Sequence, residues 1–229
     1  LGMTGLDLAA GGGMRMAFAM TPWSPGYALV MFIMWWIMMI AMMLPSASPT
    51  VLLFARIHHK QRERGEAHVP AGIFVLGYLV VWGAFSLIAT AAQWALESAD
   101  LLNPMMVSTV PWLGGGLLIV AGLWQFSPWK QACLNHCRSP LSFLMTRWRQ
   151  GWKGAFVMGL DHGVFCLGCC WFLMALLFFG GIMNLWWIGG LALYVLLEKT
   201  VPAGHWLGYG LGVLLTAWGG WMLLVSLLP

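Results

Sequence analysis

The run Tyr27-Ala28-Leu29-Val30-Met31-Phe32-Ile33-Met34-Trp35-Trp36-Ile37-Met38-Met39-Ile40-Ala41-Met42-Met43-Leu44 contains no charged side chain, and none follows until Arg56. A stretch of this length and polarity reads as a membrane helix. In hydrocarbon every backbone N–H and C=O must be satisfied within the segment, and a helix does that. The rest of the chain has the same character: 229 residues, 61% hydrophobic, 8% charged, with a mean hydropathy of +0.81. A soluble domain carries about 45–50% apolar and about 25% charged residues, and it could not hide this surplus from water. The solvent is therefore expected to be a lipid bilayer, which excludes a soluble enzyme, a nucleic-acid binder and a disordered chain. The formal charge of +4 then reports basic loops on the cytoplasmic side of a membrane. The abundant glycine and tryptophan suit close helix packing and interfacial belts.

Working outward from the opening run, about six apolar stretches approach the length of a span: Tyr27 to Phe54, Pro70 to Leu96, Pro111 to Phe126, Gly154 to Phe179, Met183 to Leu197 and Gly204 to Leu228. The expected fold is all-α, a polytopic transmembrane bundle forming a single integral membrane domain over residues 1–229. Residues 1–20, with Gly11-Gly12-Gly13, read as a loop or partial interfacial helix. Pro45 and Pro49 are expected to kink or end the first membrane segment, because each removes a helix hydrogen bond. Leu1 is not an initiator methionine, so the chain reads as processed or cut from a longer parent, with no cleavable signal peptide legible at its start.

Chemistry concentrates in Asp161-His162-Gly163-Val164-Phe165-Cys166-Leu167-Gly168-Cys169-Cys170-Trp171. On a helix Cys166, Cys169 and Cys170 share one face, and His162 extends that face by a turn. Soft thiolates with imidazole suit Cu(I), Zn(II) or an iron–sulfur cluster. A lone cysteine would pack as a small hydrophobe; three within five residues, with a histidine on their face, point to a ligand set. A second group, Cys133-Leu134-Asn135-His136-Cys137, supplies Cys133, Cys137 and His136 if that segment folds back against the fourth span. Asp161 is a candidate second-shell partner of His162. Met34, Met38 and Met42 lie with Met31 on one face of the first helix as a possible soft relay, against the plainer reading of core packing. Glu198-Lys199 reads as an interfacial ion pair, and His58, His59 and His68 as solvated.

Several of these blocks together resemble a known family: Met34-Trp35 through Ala41-Met42-Met43-Leu44-Pro45; Phe126-Ser127-Pro128-Trp129-Lys130 with Cys133 and Cys137-Arg138-Ser139-Pro140; His162-Gly163 through Cys166-Leu167-Gly168-Cys169-Cys170-Trp171; Gly181-Ile182-Met183-Asn184; and Glu198-Lys199. The resemblance is to the bacterial family of predicted metal-binding integral membrane proteins, a domain of unknown function, and it covers nearly the whole chain. It implies a polytopic helical protein that binds metal, and it implies no particular reaction.

The leading expectation is a soft-metal binding protein of the bacterial inner membrane, with copper first and zinc as the alternative, acting in metal handling or metalloenzyme assembly. Its partners would be the lipid bilayer and either other membrane subunits or a metallochaperone. A membrane thiol oxidoreductase using Cys166 and Cys169, or a structural subunit of a larger complex, are the other classes. Loop charge sets the expected topology. The segments around Lys60 (Arg56 to Arg64) and around Arg147 (Lys130 to Lys153) are basic, whereas Glu97 and Asp100 stand without a cation between spans two and three. Labelling of a cysteine introduced at position 100 should therefore proceed with an impermeant reagent added outside, and labelling at position 60 should not.

Overall fold

The computed structural model describes residues 23–102 and 110–227, so the expectation for residues 1–20 lies outside the described residues. The described chain is helical: α1 Pro25–Glu63, α2 Ala71–Ser98, α3 Pro111–Gln125, α4 Pro128–Arg138, α5 Pro140–Arg147, α6 Gly151–Ala175, α7 Leu177–Gly180, α8 Leu185–Thr200 and α9 Gly204–Leu227. Four helical stretches are long and apolar enough to cross a membrane: α1, α2, α6 continuing through α7, and α9. With 15 and 16 residues, α3 and α8 fall short of the about 20 that a span needs, so six full-length spans are not what the helices show. Outward faces are apolar as well, with Ile37, Leu87, Ile88, Leu214 and Trp221 all exposed.

Of the two outcomes expected of Pro45 and Pro49, an end to the helix does not occur. α1 runs unbroken through both prolines to Glu63. Pro49 cannot donate to the Pro45 carbonyl one turn back, and the Ser48 hydroxyl donates to that oxygen instead, at 2.7 Å. A serine beside a proline restores the lost bond. The basic stretch from Arg56 to Glu63 is consequently helix. His58, expected to be solvated, is buried: its ring packs on Phe54 and Trp148, and its Nδ1 accepts from the Val69 N–H at 3.3 Å.

Helices pair along seams where small residues let backbones touch. α2 packs on α6, α3 on α9, and α1 on α2 and α8. In the α2–α6 seam a Cβ on Gly77 would stand 2.2 Å from the Phe156 carbonyl, and one on Gly159 would stand 2.0 Å from the Phe74 carbonyl. In the α3–α9 seam Gly115 meets Gly219, and Gly122 meets Gly212 and Thr216. In lipid, helices gain little from hydrophobic burial against one another, so such close packing supplies the association energy. Gly159→Ala is expected to destabilise the detergent-solubilised protein by about 3 kcal/mol or more, at the upper end of overpacking costs. Gly190→Ala, with open space around it, should be neutral; thermal unfolding of the two variants side by side checks this.

Candidate metal centre

α6 buries one continuous face: Ala155, Met158, Gly159, His162, Gly163, Cys166, Cys169, Cys170, Leu173 and Met174. The 3.6-residue period therefore delivers His162 and all three cysteines of this helix to the interior, as their spacing requires. Cys166 stands 15 residues past the start of α6 at Gly151, roughly 22 Å along the axis. A partner from the neighbouring segment must come down to meet it, and α4 does so. This short helix folds back against α6 and α8, with Lys130, Leu134 and Cys137 buried. Non-helical joints at such depth are tolerated where protein surrounds them.

The centre of the cluster is Cys166 Sγ. Lys199 Nζ donates to it at 3.0 Å, and the Tyr78 hydroxyl lies 3.1 Å away. Lys199 also donates to Ser46 Oγ at 3.2 Å, and both Ser46 and Tyr78 donate to the Met43 carbonyl. The Cys169 and Cys170 thiols each donate to the Cys166 carbonyl at 3.0 Å, and Cys170 Sγ lies 3.9 Å from Met43 Sδ. Cys137, from α4, is buried in the same core cluster as Cys166, Cys169 and Cys170. All five cysteines are free. Four thiols, a thioether and an ammonium thus share one buried locality. That donor set fits a soft cation, since thiolate and thioether sulfur select Cu(I). Among the described residues no three His, Cys, Asp or Glu side chains are already arranged as a ligand set; the thiols are instead engaged in hydrogen bonds.

The remaining sequence candidates take different places. Cys133 is half-buried, its sulfur against the Gly168 backbone, where a Cβ would come within 2.7 Å. Burial first, and Cys169 second, push its thiol pKa up. His162 is buried among the rings of Phe74, Tyr78 and Phe143, and its Nδ1 has no hydrogen-bond partner among the described residues. His136 lies flat on the Phe165 ring, centroids 4.1 Å apart, with Nδ1 at the Ala132 carbonyl. Asp161 faces Arg147 at 3.7 Å, because neighbours along a helix point to different sides. Met34 and Met38 sit half-buried at the rim of the core, and Met42 is buried.

Lys199, Tyr78, Ser46 and Met43 were not expected at the centre. The available signal was Glu198-Lys199 within an apolar helix, where charge is costly and marks a site. The expected interfacial pairing of these two residues does not occur. Glu198 Oε1 instead accepts from Lys130 of α4 and from the Tyr194 hydroxyl at 3.0 Å, while Lys130 also donates to Gln125. Lys130 and Glu198 are both fully buried, so Lys130 drops out of the basic loop to which the sequence had assigned it. Removing one member of a buried pair leaves the other uncompensated. Glu198→Ala should therefore cost about 3–5 kcal/mol of stability, and the double variant Lys130→Met, Glu198→Leu should recover most of it. Denaturant titration of both variants measures the difference.

A family model described as PpoB2, copper chaperone, matches residues 32–222, a range that includes every side chain of the cluster. No curated protein and no solved structure matches the chain.

Proposed function

The chain belongs to that copper-chaperone family, and from this premise we propose that it carries Cu(I) as cargo within the bacterial cytoplasmic membrane. Cys166, Cys169, Cys170 and Cys137 are the sulfurs from which the ion's thiolate ligands would come. His162 and Cys133 stand one turn away and at the rim, as alternative or relay ligands. The observation that carries the reading is the convergence of free thiols from two separate helices, α4 and α6, beside the Met43 thioether.

In this reading α3 and α8 complete six crossings. Their shorter lengths would be met by local thinning of the bilayer. The basic end of α1 bearing Lys60 and the end of α5 bearing Arg147 face the cytoplasm, by the excess of positive charge there. The donor would be a soluble metallochaperone or another membrane subunit, and the recipient a metalloenzyme under assembly.

Purified protein loaded with Cu(I) under reducing conditions should retain about one ion per chain, and Cys166→Ser should hold less than about 0.1, as expected for a thiolate site. Elemental analysis of both decides this. Copper absent from the wild type, or unchanged by the substitution, would leave the cysteines as packing residues.

A further inference from the structure

Lys199 is 6% exposed on a helix of apolar neighbours, and an ammonium in that setting is costly unless its charge is used. Its Nζ donates to Cys166 Sγ and Ser46 Oγ, and Cys137, Cys169 and Cys170 are buried in the same core cluster as Cys166. Glu198, its neighbour in sequence, is taken by Lys130. Among the described residues, then, no carboxylate pairs with Lys199, and its contacts are sulfur and hydroxyl.

We propose that Lys199 is the resident counter-ion of the copper complex, neutralising the single negative charge left when two thiolates hold one Cu(I). The proposal rests on the copper reading above and adds the residue that makes the complex tolerable inside an apolar bundle. The charges are counted as follows. Two thiols and one Cu(I) give a dithiolate–copper(I) anion and two protons. Two S–H bonds break, two Cu–S bonds form, the protons pass to the aqueous phase, and no electron is transferred. The anion carries one negative charge, the ammonium one positive charge, and the buried site sums to zero. Among loaded forms, an apolar interior favours the one without net charge. Lys199 repels the incoming cation, but it attracts two thiolates, so its net effect favours the loaded state. Zn(II) would require three thiolates to reach the same balance, one more deprotonation than Cu(I).

The test is a Cu(I) competition titration of the detergent-purified protein against a chromophoric Cu(I) chelator, comparing wild type, K199R, K199Q and K199M. K199R keeps the charge and should bind within about threefold of wild type, whereas K199Q and K199M, neutral and of similar length, should bind at least about tenfold more weakly. Removing a buried charge need not weaken the fold, and thermal unfolding of each metal-free variant checks that. If K199M does not fold, the comparison of K199R with K199Q carries the test, because a purely structural role would not be rescued by charge alone. Equal affinity of K199Q and K199R for Cu(I), or tighter binding by K199Q than by wild type, would overturn the counter-ion role while leaving the copper reading intact. A wild type that binds no Cu(I) would overturn both.

Discussion

Two ammonium groups, on Lys130 and Lys199, are buried in a bundle whose inner and outer faces are otherwise largely apolar. An unpaired charge in such surroundings is too costly to persist, so the acceptors of these two lysines govern where several helices can stand. Glu198 and Lys199 are consecutive on α8 and point to different sides of it. One reaches Lys130 of α4, which also engages Gln125 at the end of α3; the other reaches Cys166 of α6 and Ser46 of α1. α8 thus stands between two polar clusters. Arg138, at the end of α4, donates to the carbonyls of Val201 and Pro202 just past the end of α8. The chain that must bring Cys137 to the sulfur cluster is therefore held to α8 at Lys130 and again at Arg138.

The glycine seams set the other coordinate. Gly77 and Gly159 allow α2 and α6 to touch backbone to backbone. That contact fixes the height and approach of Tyr78, one residue on, to Cys166 on the facing helix. A side chain in place of either glycine would separate the helices and draw the hydroxyl away from the sulfur. Gly208 does similar work for the second cluster, since a Cβ there would stand 2.8 Å from Glu198 Oε1. Helices placed in lipid gain little hydrophobic reward for associating, and close dispersion contacts of this kind would supply it.

Where local pattern decides the outcome, the sequence was readable. The apolar runs predict α2, α6 with α7, and α9 to within a few residues, whereas α1 runs nine residues past the expected end at Phe54; the spacing of His162, Cys166, Cys169 and Cys170 predicts one buried face. The fold-back of α4 was anticipated as the condition for Cys137 to reach that face. What could not be read depends on pairing at long range. Nothing local to Glu198-Lys199 says that the two residues part company, because the partners lie 68 and 33 positions away along the chain, at Lys130 and Cys166. The methionines divide for a related reason. Met31, Met34, Met38 and Met42 share a face by count; Met31 and Met42 are buried while Met34 and Met38 are half-buried, and Met43, beside them, is the one brought to Cys170. Pro45 and Pro49 misled because the serine that offsets the second of them acts through its side chain, outside the backbone rule that prolines break helices.

A carrier must be stable both empty and loaded, and the geometry bears on how the proposed function meets that demand. In many sulfur-rich metal sites the ion is the staple of the fold, and removing it unfolds the domain. Here the fold is held elsewhere, by the glycine seams and by Lys130 with Glu198. Without cargo the thiols still have partners: Cys169 and Cys170 donate to the Cys166 carbonyl, and Cys166 Sγ accepts from Lys199. A thiol is a weak donor, so releasing those two bonds to form metal–sulfur bonds costs little. The strong polar contacts, at Lys199, Ser46 and the Met43 carbonyl, need not break. Under the proposed function, loading would exchange weak hydrogen bonds for coordination within a scaffold held by other contacts, so that the site could take up an ion and surrender it without unfolding in between.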